Sequence, residues 1–243
     1  KLRINTSSGE IITESDKLIG ADGPLSPVAK SAGLFQDRNF IIATQIEAKM
    51  ENDNVVEFYP YIGYYAWIVP VNEETVRIGV AAYKNAPQLF RKFAIDKIGK
   101  DYNSKTIENQ SGIIPIFNPK VQAEKDSIYL IGDAATMVKA TSGGGINQSL
   151  KAAIALSESI DNDTSYQKKW RKTMFNNLYL HLAVHKVMQK FSSEDWNNLI
   201  DTFSQDSMKE ILYNQSRDRL IPMVGNILLR KPSLLKYLKY FPV

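Results

Sequence analysis

The sequence predicts an α/β protein in which an antiparallel β-sheet is inserted into an incomplete Rossmann-type domain and a helical carboxyl-terminal region follows. Three observations predict it. Residues 18–33 and 128–150 each read as an apolar strand, a turn containing Gly and Asp, and the start of a helix. Between them lie short β-rich runs with period-two alternation, and after residue 160 apolar residues recur at helical spacing. The expected partition is 1–34 and 117–160 for the first domain, 35–116 for the inserted sheet, and 161–243 for the helices.

The chain opens with LRIN and EIIT around a Ser-Ser-Gly turn, a β-hairpin pattern. In LIGADGPLSPVAKSAG (18–33), the apolar strand ends at a Gly-Ala-Asp-Gly turn. Ser26 then stands as N-cap, Pro27 at the first helical position and Gly33 as terminator. Local turn chemistry accounts for all of these except Asp22, an aspartate at the mouth of an apolar strand.

Residues 40–49, 54–59, 64–70 and 75–83 follow as strands separated by turns such as MENDN and VNEET, which suits an antiparallel sheet. Leu89, Phe90, Phe93 and Ile98 predict a helix over 88–99, and another strand is expected at 106–116. In PYIGYYAWIVP (60–70), strand geometry puts Tyr65, Trp67 and Val69 on one face. Such a face can wall an apolar tunnel or pack on a core, and the stretch by itself leaves both open.

In IYLIGDAATMVKATSGGGINQSLKA (128 onward), Ile128 to Ile131 form an apolar run suited to a strand covered on both faces. Asp133 then emerges at its carboxyl end, where a carboxylate can accept hydrogen bonds from ribityl or ribose hydroxyls. Gly143, Gly144 and Gly145 remove side-chain bulk where a planar ring must approach the backbone, and the following helix offers free N–H groups and its positive pole. This suits a flavin. A strand, a Gly-rich turn and a helix also occur without any ligand, so the segment alone leaves both readings open.

Together, GADGPLS (20–26) and GDAATMVKATSGGG (132–145) resemble the second and third cofactor motifs of the flavoprotein superfamily that includes para-hydroxybenzoate hydroxylase, squalene epoxidase and the geranylgeranyl reductases. The resemblance makes the Rossmann-type portion an FAD-binding domain. It implies FAD contacts at Asp22, Gly23, Gly132, Asp133, Gly143, Gly144, Gly145 and Ile146, the aspartates near the pyrophosphate and ribityl chain and the glycines against the isoalloxazine ring. The chain departs from the pattern at Ala29–Lys30, where the family often has Arg, and at Ala140, where it often has Pro. Nothing in residues 1–19 resembles the family's GxGxxG module, so an amino-terminal dinucleotide module is expected to be missing from this chain, by cleavage or by nature.

YAWIVP resembles the YxWxFP motif of archaeal geranylgeranyl reductases, with Tyr65, Trp67 and Pro70 matching and Val69 in place of phenylalanine. The resemblance implies that these three residues line a polyprenyl substrate chamber. The activity it implies is an FAD-dependent reduction of isoprenoid double bonds, hydride passing from the reduced flavin to one alkene carbon while an acid or water protonates the other. No residue is assigned as that acid. A reduced carrier protein or a nicotinamide is the expected electron donor. The rival readings are a flavin-dependent aromatic monooxygenase or halogenase, and a noncatalytic lipid-binding fragment.

Trp170, Met174, Leu178, His181 and His185 share one face of a long helix. His181 and His185 are read as packing or partly exposed histidines, because the intervening Leu-Ala-Val lacks the Glu of a zinc-protease helix and no third ligand is suggested. No metal is expected. From Met208 to Val243, seven Lys or Arg face two acidic residues, a balance of +5 against +4 for the whole chain. Leu234, Leu235, Leu238 and Phe241 oppose Lys236 and Lys239, a pattern that suits a helix on an anionic membrane surface as well as one packed on the protein body. Nucleic-acid binding is not expected, because no binding module accompanies the charge.

Hydrophobic content of 44%, charged content of 23% and no cysteine fit a cytoplasmic protein without a disulfide framework, and the basic, leucine-bearing tail is what would hold it peripherally on the inner face of the membrane. The Asn-x-Ser/Thr triplets at Asn109, Asn147 and Asn162 are read as products of composition.

Overall fold

The computed structural model describes residues 2–216 and 220–241. In chain order, β1 (Leu2–Thr6) and β2 (Gly9–Thr13) are followed by β3 (Leu18–Gly20) and α1 (Pro27–Ser31). Then come β4 (Phe40–Lys49), β5 (Glu57–Tyr59), β6 (Tyr65–Asn72), β7 (Thr75–Ala82), α2 (Ala86–Lys97), α3 (Tyr102–Lys105) and β8 (Thr106–Pro115). The chain continues through β9 (Glu124–Lys125), β10 (Ile128–Leu130), α4 (Ile146–Asp161), α5 (Tyr166–Trp170) and α6 (Asn176–Met188). It closes with α7 (Ser193–Phe203), α8 (Asp206–Asn214), α9 (Leu220–Arg230) and a 3₁₀ segment, Pro232–Tyr240. These elements form two compact units, Lys1–Arg38 with Phe117–Tyr179 and Asn39–Ile116 with Leu180–Val243.

In the first unit β1 and β2 form the expected hairpin, and a second sheet has the order β3-β10-β9. β3 and β10 are parallel, with Gly20 opposite Leu130, and β9 runs antiparallel to β10. Ser26 Oγ accepts from Ala29 N at 2.9 Å, Pro27 opens α1, and Gly33 follows the Ala32 C-cap at φ +68°, so this helix is punctuated as its sequence predicts. Of the β10 strand only Leu130 is fully buried. The expectation of a strand covered on both faces is therefore corrected: a three-residue strand in a three-stranded sheet has too little around it.

The buried side of α4 is made by Gln148, Ala152, Ala155, Leu156 and Ser159, while Ile146, Leu150 and Ile154 stay exposed at intervals of four. α5 and α6 are joined by a π-helical turn, Arg171–Phe175, and Trp170, Met174, Leu178, His181 and His185 are all buried along the expected face.

The second unit is built on a five-stranded antiparallel sheet of order β5-β6-β7-β4-β8. Its α2-covered face buries Ile46, Ala48, Ala66, Ile68, Val76, Ile78 and Val80 against Phe90, Phe93 and Ala94. Each large side chain buried there contributes roughly 1.5–3 kcal/mol. The strand expected from residue 54 starts only at Glu57. Asn54 sits at φ +55°, and Asn52 Nδ2 ties this turn to Met50 O (3.1 Å) and Asn72 O (2.8 Å), so the backbone there cannot continue the ladder.

Met208, Ile211, Leu220, Met223 and Ile227 form a separate helical core with Leu180 and Val184. Residues 232–240, read from the sequence as part of a helix of unspecified kind, are 3₁₀-helical. Arg217 and Arg219, part of the basic excess, lie outside the described residues.

Candidate functional site

The two aspartate turns leave the carboxyl ends of neighbouring parallel strands. Ile131 N donates to Gly20 O at 3.0 Å, so the pairing persists to the last residue before each turn. Hydrogen-bonded strands lie about 4.8 Å apart. Asp22 and Asp133 therefore open onto one region, the place where ligands bind in open α/β sheets.

Asp133 lies in a 3₁₀ turn, Gly132–Ala135, begun by Gly132 at φ +61°. A Cβ on Gly132 would fall 2.5 Å from Ser149 Oγ, so the turn can sit against the first turns of α4 only because this residue is glycine. Burial pushes the Asp133 carboxyl above its ordinary range. Among the described residues no donor reaches this carboxylate, which leaves it as an acceptor for ligand hydroxyls.

The glycine segment folds as a tight loop in which Lys139 N donates to Gly144 O at 3.0 Å and Gly143 N to Lys139 O at 2.9 Å. Gly143 has φ +67°, and Gly145 is the N-cap of α4 with no side-chain cap. A Cβ on Gly145 would stand 3.0 Å from Asp133 Oδ1, so the bare backbone at this helix end lies directly beside the carboxylate. In the first turn of α4, Gln148 is 1% exposed and its Nε2 has no hydrogen-bond partner among the described residues. An uncapped helix N-terminus, an unanswered buried donor and an unanswered carboxylate suit a flavin nucleotide, whose ring needs close backbone approach and whose hydroxyls and phosphates need partners of both kinds. Ile146, expected to touch the cofactor, is 81% exposed and faces outward from α4 with Leu150 and Ile154.

The Asp22 carboxylate already has partners in its own turn. Its Oδ1 accepts from Ser26 Oγ at 2.6 Å and its Oδ2 from Val28 N at 2.9 Å, so the carboxylate holds its own turn and the start of α1. Gly23, at φ +81°, has open space where a Cβ would stand and is the part of this turn free for close approach.

A residue that sequence reasoning missed joins the turns. Arg38 donates from Nη1 to Pro24 O at 3.2 Å and from Nη2 to Ala134 O at 2.8 Å, with its guanidinium 4.1 Å over the Phe35 ring. Burial lowers its pKa and the charge of Asp22 raises it. No local signal marks Arg38, because its acceptors are backbone carbonyls that carry no sequence signature.

In the second unit, Ala66 and Ile68 point into the α2-covered core while Tyr65, Trp67 and Val69 lie on the opposite face, as strand alternation requires. The Trp67 indole lies over Gly79, where a Cβ would fall 2.2 Å from Cζ2. Its Nε1 donates to Gln45 Oε1 at 2.8 Å, and Gln45 donates onward to Gln110. Tyr65 packs against Phe58 and Trp67, with ring centroids 5.0 and 5.5 Å away. Pro70 has the parity of Ala66 and Ile68, so alternation places it on the α2 side, beside a register shift. Gln45 and Gly79 were not identified from sequence, because both act through a cross-strand register that only folding supplies.

At one end of this sheet Tyr64 stacks on His185 at 4.2 Å, and the Tyr83 hydroxyl lies 3.0 Å from His185 Nε2. Burial pushes the imidazole down to about 4, so His185 is neutral at pH 7. Among the described residues no group of three or more His, Asp or Glu is arranged to hold a metal.

Residues 3–162 match the family described as FAD binding domain. Digeranylgeranylglycerophospholipid reductase of Methanocaldococcus jannaschii is 28% identical over 256 residues, covering 95% of this chain and 63% of that protein. A geranylgeranyl bacteriochlorophyll reductase-like protein from Thermoplasma acidophilum superposes with a TM-score of 0.73 at 19% identity, over 98% of this chain and 64% of that one. CmlS, a flavin-dependent halogenase, superposes with a TM-score of 0.58 at 14% identity, over 96% of this chain and 53% of that one. The chain spans less than two thirds of the length of these relatives.

Proposed function

The chain belongs to the FAD-binding domain family, and from that premise we propose that it is the larger part of a reductase that saturates double bonds in the geranylgeranyl chains of lipids. One observation carries this reading: the Tyr65–Trp67–Val69 face is turned away from the packed core, in a chain 28% identical over 95% of its length to a digeranylgeranylglycerophospholipid reductase. An apolar, aromatic wall suits an extended polyprenyl chain, and Gln45 fixes the plane of its largest ring.

Bound FAD supplies hydride chemistry. The chain's own residues position it. Asp133 accepts from ligand hydroxyls, Gly143, Gly144 and Gly145 admit the ring, Gln148 donates from the first turn of α4, and Arg38 fixes the spacing of the two turns. Tyr65 and Trp67 hold the substrate and exclude water. The Ile146–Leu150–Ile154 stripe of α4 and Ile19 on β3 are exposed apolar surface on the same unit as this site. The electron donor is a reduced carrier protein or a nicotinamide, and the protein works peripherally on the inner face of the membrane that holds its substrate.

The test is oxygen-free turnover by the complete polypeptide. With dithionite as reductant, mass analysis of a digeranylgeranyl lipid should show hydrogens added in pairs, and Trp67→Ala should slow the addition. A strict requirement for oxygen, with an oxygenated or halogenated product, overturns the reading in favour of the monooxygenase or halogenase class.

A further inference from the structure

We propose that the 3₁₀ segment Pro232–Tyr240 is a preformed insertion rail that seats the protein on anionic phospholipid, a proposal that rests on the lipid substrate above and specifies how the protein reaches it. In a 3₁₀ helix residues three apart eclipse one another, so the segment has three straight edges. Leu234, Tyr237 and Tyr240 form the inner edge, with Tyr237 at 6% exposure. Leu235 and Leu238 form the second, continued by Phe241, and are 46%, 54% and 38% exposed. Lys236 and Lys239 form the third, both exposed.

The inner edge is pinned. Tyr240 donates to Asp195 Oδ2 at 2.7 Å and Tyr237 to Asp195 O at 3.2 Å, Phe191 packs on Tyr237 at 4.6 Å, and Lys190 Nζ donates to Tyr240 O at 2.8 Å. The segment therefore cannot roll its leucines inward. Leu229, 80% exposed on the preceding helix, adds to the apolar surface.

Charge decides what covers this surface. Residues 220–241 contain Arg230, Lys231, Lys236 and Lys239 and no acidic residue. Arg230 is answered by Glu210 at 3.1 Å, while Lys236 and Lys239 lie beside the rings of Tyr237 and Tyr240 and form no ion pair among the described residues, the charge of Lys239 reaching only the Asp195 carboxylate, which it helps hold below its ordinary range. Protein interfaces are depleted of lysine, whereas at a bilayer lysines interleaved with leucines extend to phosphate while the leucines enter the acyl boundary. Among the described residues no helix is long and apolar enough to cross a membrane, so this contact lies at the interface.

The experiment is cosedimentation of the complete polypeptide with vesicles of phosphatidylglycerol and phosphatidylcholine in equal parts, and with vesicles of phosphatidylcholine alone. The wild type should favour the anionic vesicles, and L235S/L238S and K236E/K239E should each lower partitioning about tenfold. V55S/V56S, which removes two exposed valines elsewhere, should leave it unchanged. Unfolding midpoints confirm that each variant is folded. Equal binding by the wild type and L235S/L238S overturns the proposal, as does equal binding to both vesicle types. So does self-association lost in L235S/L238S while vesicle binding persists, which would make a second copy the occupant. Return of the oxidised-flavin absorption when detergent-dispersed prenyl lipid is added to the reduced protein without oxygen tests the reductase reading separately: without that return but with the predicted vesicle binding, the reductase reading fails and the rail stands.

Discussion

The guanidinium of Arg38 donates to the backbone carbonyl of Ala134 at 2.8 Å, the residue next to Asp133, while its other nitrogen reaches Pro24 in the turn that contains Asp22. One side chain thus ties two turns that lie roughly a hundred residues apart in sequence. A charged hydrogen bond of this kind contributes about 1.5–3 kcal/mol. Arg38→Ala is expected to weaken FAD binding by about ten- to a hundredfold, measured by quenching of flavin fluorescence. Arg38→Lys is expected to recover only part of the loss, because an ammonium cannot span both carbonyls with a rigid fork.

Asp133 makes the turn after β10 costly to fold. Burial raises its folded pKa above the unfolded value, so the ionised group destabilises the protein at pH values above that folded pKa, and the penalty is relieved as pH falls through it. Asp133→Asn is therefore expected to raise the thermal midpoint of the FAD-free protein at neutral pH while lowering its affinity for FAD. Scanning calorimetry and a flavin titration on the same sample separate the two effects. A lower midpoint with unchanged affinity would make Asp133 a structural residue.

Gly79 is the floor under Trp67. A methyl group there would lie 2.2 Å from the indole, so Gly79→Ala must push the ring off the strand at a cost of about 1–3 kcal/mol. Urea unfolding followed by tryptophan fluorescence reads both the stability and the ring environment. Gln45→Leu removes the indole's acceptor and is expected to change the tryptophan emission and raise the KM for prenyl lipid with a smaller effect on kcat.

His185 has a folded pKa of about 4 against an ordinary value of 6.5. Because the folded value is depressed for a base, its contribution is complete above pH 6.5 and is lost as pH falls from there to about 4. The loss amounts to roughly 3 kcal/mol at most. Denaturant midpoints should fall over this interval in the wild type and fall less in His185→Gln, which can still meet the Tyr83 hydroxyl. Identical pH profiles would contradict the burial argument.

The elements whose partners are local in sequence were legible without a structure. Ser26, Pro27 and Gly33 announce α1, and alternation separates Tyr65 and Trp67 from Ala66 and Ile68. Gly132 and Asp133 announce the turn after β10. What escaped depends on distant backbone. Arg38 binds carbonyls, Gln45 and Gly79 meet Trp67 through strand register, and Asp22 spends its oxygens on Ser26 and Val28. The tail misled for another reason. Its apolar and basic residues fit a helical face at either spacing, but the 3₁₀ repeat turns Leu234 inward and leaves Leu235 and Leu238 outside.

The central claim, that the turns bearing Asp22 and Asp133 close on one FAD, is tested most directly by titrating the apo form of the complete polypeptide with FAD. One equivalent should bind, and Arg38→Ala and Gly145→Val, which would crowd Asp133, should each weaken it at least about tenfold without unfolding the chain. Unchanged affinity in both variants would mean that FAD, if bound, sits elsewhere.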